Sequence, residues 1–133
     1  MTQKFYLNII RSLRAFFYNI DSSVRWYIDT ENENMLDDEF VEVLTSTRII
    51  EDEIKPSFGD LINLNVYSKN DIDVLVGKIY EALDNRFIDI LNYVDGTLEK
   101  VGSIYVKRID ITNLGSISGY YVKNLSIVIE CYY

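Results

Sequence analysis

Apolar residues near the N-terminus fall at Ile9, Ile10, Leu13, Phe16, Phe17 and Ile20, which trace one stripe of a 3.6-residue period. Arg11, Ser12 and Asn19 lie off the stripe, so the spacing predicts an amphipathic helix. Asp21-Ser22-Ser23 should stop it, because such side chains compete for nearby backbone groups. From Val24 to Ile28 the period drops to two, predicting a short strand. Asp29 to Glu39 is mostly polar and reads as an exposed loop. Phe40 to Leu44 is a run of strand formers, expected to continue with a bulge toward Ile54. Pro56, Ser57 and Gly59 then mark a turn inside an extended excursion over 45–60.

Leu61 to Tyr67 alternates cleanly, with Ile62, Leu64 and Val66 on one face and Asn63 and Asn65 on the other. Asn70 is the expected N-cap of a second helix, with Asp71 and Asp73 in its first turn. The stripe Ile72, Leu75, Val76, Ile79 and Leu83 carries that helix to Asp84-Asn85. Phe87 to Val94 satisfies both periods and is assigned a short helix closed by Asp95-Gly96. The C-terminal third predicts a hairpin, with strands Ile104–Ile111 and Tyr120–Tyr133 joined by a turn-rich connection over 112–119. Leu125, Ile127, Ile129 and Cys131 share the face expected to pack under the helices. A strand that carries on to the last residue is expected to be tied into the sheet, since loose ends fray.

This order predicts an α+β fold: a mixed, mainly antiparallel sheet with the N-terminal and central helices packed on one face. At 133 residues, with 48% apolar and 26% charged, the chain reads as a single domain over 1–133 that holds a core without metals or disulfides. No stretch reads as a membrane span. The single cysteine, Cys131, excludes an internal disulfide.

Charge narrows the partners. Net charge is −8, unlike the basic footprint of proteins that grip the phosphate backbone or an anionic membrane. Residues 1–28 carry net +3, from Lys4, Arg11, Arg14 and Arg25 against Asp21. Residues 29–60 carry net −9, with Asp37, Asp38 and Glu39 in one cluster and Glu51, Asp52 and Glu53 in another. A positive end and a negative middle suit head-to-tail contact between identical subunits. The 11 tyrosines, an apolar ring with a polar tip, suit half-buried strands and interfaces. Tyr120, Tyr121, Tyr132 and Tyr133 bracket the last strand and are the expected subunit contacts.

Candidate chemistry is sparse. The chain has no histidine, which removes Ser-His, Cys-His and His-ligated metal sites. One cysteine cannot build a zinc cluster. Gly115-Ser116-Ile117-Ser118-Gly119 has glycines at both ends but an isoleucine where a nucleophile elbow needs serine, so it reads as a hairpin loop. The acidic clusters lack the calcium-loop spacing and read as solvated faces. The expectation is a protein that is not an enzyme and uses no cofactor.

One pattern goes further. An amphipathic helix, strands and an extended excursion precede Leu61-Ile62-Asn63-Leu64-Asn65-Val66-Tyr67-Ser68-Lys69-Asn70, a strand running into the helix of Asp71 to Leu83. Ile104 to Ile111 and Gly119-Tyr120-Tyr121 leading a long strand complete it. Over nearly its whole length the chain resembles the tail terminator, or tail completion, proteins of long-tailed bacteriophages, and more loosely their neck proteins. The resemblance rests on element order, length and these phrases. It implies a ring, expected to be hexameric, that caps the tail tube, stops its growth and joins the tail to the head connector. The partners it implies are identical subunits, the tail tube protein, the neck proteins and the sheath protein, with DNA only as passing cargo. The implied location is the virion, after assembly in the host cytoplasm. The other readings are a neck or head-completion connector, told apart by neighbouring genes, and a small ligand-binding domain or enzyme, which requires a closed pocket.

Overall fold

The computed structural model describes residues 3–28, 37–44 and 60–132. Helix α1 spans Gln3–Tyr18, and strands β1 (Arg25–Ile28), β2 (Glu39–Leu44) and β3 (Asp60–Ser68) follow. Helix α2 spans Ile72–Leu83, and strands β4 (Phe87–Leu91), β5 (Lys100–Ile117) and β6 (Tyr120–Tyr132) complete the chain. The six strands form one sheet in the order β1-β2-β3-β6-β5-β4. β1 and β2 run parallel and every other neighbouring pair is antiparallel. The fold is therefore α+β with a mixed, mainly antiparallel sheet.

Register decides which side chains meet. Across the sheet Trp26 sits beside Val41, Val41 beside Val66, Leu64 beside Leu125, and Leu125 beside Ile111. This inner face carries Val43, Ile62, Ile127, Ile129, Ile104, Val106, Ile88 and Ile90, all buried. Phe5, Tyr6, Ile9, Ile10, Leu13 and Phe17 of α1 and Ile72, Leu75, Val76, Ile79 and Leu83 of α2 close over it in one apolar cluster. Burying a residue of this size contributes about 1.5–3 kcal/mol, so both apolar stripes are used. Cys131 packs half-buried against the same cluster.

Among the described residues the outer face carries no helix. It holds a polar ladder in which the Ser126 hydroxyl donates to Asn63 (3.0 Å) and the Asn124 amide donates to Asn65 (3.0 Å). Beside it, Phe40, Tyr67, Tyr120 and Val122 form a second buried cluster.

Several local assignments differ from expectation. The Phe87–Val94 segment is not a helix. Residues 87–91 form β4, with Ile88 and Ile90 inward and Phe87 and Asp89 outward, because pairing with β5 satisfies a backbone too short to nucleate a helix alone. The N-cap of α2 is Asp71, not Asn70; its carboxylate accepts from the Asp73 amide (3.1 Å). The connection over 112–119 is mostly strand. β5 runs on to Ile117, and the turn is only Ser118-Gly119, both at positive φ (52° and 85°), as a two-residue type I′ hairpin requires. Gly115, at φ 79°, follows a bulge at Leu114 instead of making the turn. The expected strand and bulge toward Ile54, and the turn around Pro56, lie outside the described residues.

α1 does more than cover the core. β1 and β4 are the two edges of the sheet, and α1 bonds to the backbone of both. The Trp26 amide donates to the Tyr18 hydroxyl (2.7 Å), and the Arg14 guanidinium donates to the Trp26 carbonyl (3.4 Å). On the other edge the Leu91 amide donates to the Ser12 hydroxyl (3.0 Å), and the Val94 amide just beyond β4 donates to the Asn8 carboxamide oxygen (2.9 Å). Asn8 and Ser12 are both buried. The sheet curls so that one helix reaches its two ends.

Candidate interaction surface

The residues picked out by sequence scatter over three places. Arg11 and Arg14 are half-buried on α1, and Arg14 is committed to the edge of β1. Arg25 is exposed at the start of β1. The side chains of Asp37 and Glu39 are tied inward, while Asp38 is exposed and bonds through its backbone. The Asp37 carboxylate accepts from the Tyr27 hydroxyl (2.5 Å), the Asp38 carbonyl accepts from the Lys69 amide (2.9 Å), and Glu39 accepts from the Ser68 hydroxyl (2.7 Å). The hydrogen bond to Asp37 holds the Tyr27 phenol above its ordinary range. Glu51, Asp52, Glu53 and Tyr133 lie outside the described residues.

Tyr120 is not a surface tyrosine. It is 2% exposed, meets Phe40 and Tyr67 edge-on (ring centres 5.4 and 5.9 Å apart), and donates its hydroxyl to the Asp37 carbonyl (2.7 Å). The outer-face cluster buries it, and alternation alone does not reveal a second apolar layer on the face away from the helices. Burial raises the neighbouring Tyr67 phenol, with Glu42 adding to the effect.

Tyr132 does lie on an open patch. Its ring is 6.0 Å from Phe87, which in turn packs on Tyr105 at 4.7 Å. The Tyr132 hydroxyl donates to Glu130 (2.5 Å), which also pairs with Lys107 (3.0 Å). These two contacts, the phenol first, lower the Glu130 carboxyl, and the shared bond raises the Tyr132 phenol.

The third place holds one residue picked out by sequence, Tyr121. β4 pairs with β5 only over Lys100–Tyr105, so Arg108–Ile117 has no strand on its outer side among the described residues. Ile109 is buried in the core, but the other apolar side chains of this stretch stay exposed: Ile111 (47%), Leu114 and Ile117, with Tyr121 (53%) across the hairpin. On the inner face, two adjoining hollows of about 700 and 370 Å³ run between this hairpin and α2. Asp71, Asp73, Gly77, Tyr80 and Glu81 form the helix wall; Ile111, Asn113, Tyr121 and Lys123 form the sheet wall. Lys123 reaches across to Asp73 (2.5 Å). Among the described residues nothing lies within 4 Å of where a Cβ on Gly77 would stand. The signal in sequence was the run Ile111, Leu114, Ile117, assigned there partly to a turn.

Among the described residues no group of three acidic or cysteine side chains is placed to hold a metal ion. No helix among them is long and apolar enough to cross a membrane. No protein-family model matches this chain, and no curated protein matches it.

Proposed function

We propose that this chain is a structural subunit of a phage tail, forming a ring on the end of the tail tube that stops its growth and meets the head connector. The observation that carries this reading is the exposure of Ile111, Leu114 and Ile117 on the length of β5 that has no outer strand partner among the described residues, with Tyr121 across the hairpin. Apolar and aromatic groups at an open sheet edge are the material of protein–protein contact. The resemblance in element order supports the tail terminator class, and a ring of six is the assembly it implies. Net charge of −8 per subunit suits a channel through which DNA passes without sticking. The tail tube and neck proteins, and the sheath where there is one, are the partners in this reading, and the virion is its location.

Native mass spectrometry of the chain alone and mixed with purified tail tubes, together with negative-stain imaging, tests it. Rings, or tubes capped at one end, are the expected result. A monomer that ignores tail tubes overturns the proposal.

A further inference from the structure

A free sheet edge and an empty trough coincide on one side of this molecule. The ten residues Arg108–Ile117 leave one row of backbone groups without a strand partner among the described residues. At about 3.4 Å per residue, that edge is roughly 30 Å long. β1 and β4 differ, because α1 occupies backbone groups of both. A strand added beside Arg108–Ile117 would direct alternate side chains to the inner face, next to Ile111 and Asn113, and so into the trough below α2.

Gly77 points to the same place. Glycine in the interior of a helix is less favourable than alanine, yet no atom of the described residues crowds the position. The glycine leaves the floor of the trough open at this point. Val76, Tyr80 and Ile111 make the middle of the trough apolar, while Asp71 and Asp73 lie at one end and Glu81 at the other. Lys123 offsets one of these acids through its bond to Asp73. The walls therefore favour an occupant that is apolar at its centre and basic at both ends. A second copy pairing edge to edge would face Asp73 and Glu81 with the same acids, so like charge disfavours it.

We propose that β5 accepts an extended strand from a partner protein, whose inward-facing side chains read basic, apolar, basic, with the apolar one seated against Gly77. The proposal stands on the trough and the edge alone and does not depend on the virion reading. The spacing matches the chemistry: Asp73 to Glu81 covers roughly 12 Å of helix, and inward positions four residues apart on a strand lie roughly 14 Å apart.

The probe is a capped seven-residue peptide, TKTVTKT, titrated into the full chain at low salt and followed by amide chemical shifts and hydrogen exchange. Binding should perturb and protect the amides of Arg108–Ile117. An N-methylated peptide, which cannot donate to an edge, should not bind. TETVTET should bind at least tenfold more weakly. Gly77→Leu, which fills the trough, should weaken TKTVTKT at least tenfold. Glu81→Lys, at an exposed site that does not threaten the fold, leaves acid at one end and base at the other and should abolish the preference between the two peptides. The proposal is overturned if TKTVTKT does not bind, if it perturbs some other surface, if the N-methylated form binds equally, or if Glu81→Lys leaves the preference unchanged. Self-association through β5 that excludes the peptide overturns it as well.

Discussion

Asp21 shows how a single side chain couples distant parts of the chain. It follows α1, stops that helix as its residue type predicts, and accepts from the Ser23 amide (3.0 Å) and hydroxyl (2.5 Å). It also pairs with Lys78 of α2 (2.8 Å), a contact between residues 57 apart. The hydrogen bond from Lys78, then those from Ser23, pull the Asp21 carboxyl down to about 2, and the same pairing raises Lys78. Because the folded-state value lies below the unfolded one, this contribution is fully present above the ordinary carboxylate value of 3.8. It is lost as pH falls through about 2. Lys78 is largely exposed, so screening holds the pair to about 1 kcal/mol or less. Asp21→Asn should therefore lower stability slightly at pH 7 and flatten its fall between pH 4 and pH 2, as read from urea midpoints across that range.

At the scale of elements, α2 combines a core stripe, a defined cap and one anomalous residue. Ile72, Leu75, Val76, Ile79 and Leu83 were all visible as a helical stripe, and all are buried. Gly77 lies outside that stripe, and among the described residues nothing stands close enough to require a glycine there. Gly77→Ala should raise the stability of the isolated chain by about 0.5–1 kcal/mol, measured by denaturant unfolding. A loss of stability would mean that the position is crowded after all. β5 shows the opposite imbalance. Its first part is paired on both sides, while among the described residues its second part pairs with β6 alone. Gly115 and Ser116 look like turn residues in sequence because their types suit turns. Here the glycine accommodates a bulge within a strand, and only pairing with Val122 and Tyr121 shows it.

At the scale of the molecule, the fold depends on α1 reaching both ends of a curled sheet. Asn8 and Ser12 lie among the apolar residues of α1, and Ser12 reads from sequence as an outward position. Both are buried because the helix is covered on more than one side. Ser12 satisfies the Leu91 amide across 79 residues of sequence. Ser12→Ala should leave that part-buried edge amide without this partner and cost about 1 kcal/mol. Hydrogen exchange at Leu91 should quicken more than exchange at the centre of β6. Uniform acceleration across the sheet would show that the contact has no local role.

Local periodicity was enough for α1, α2, β1, β2, β3 and β6, because a helix or a half-buried strand repeats its apolar positions within a few residues of chain. The same reasoning reached the α+β class, since two striped helices and alternating strands have few ways to bury their faces together. It failed for β4, where Phe87 to Val94 fits two periods and only pairing with β5 selects one. It failed again at Tyr120, whose burial comes from Phe40 and Tyr67, residues far away in sequence. The free length of β5 was beyond its reach for the same reason. Whether a strand is paired or open depends on where its neighbour ends, and β4 ends opposite Lys100–Tyr105. Side-chain periodicity belongs to the chain alone, whereas an edge, a trough and a buried outer face exist only between segments that folding brings together.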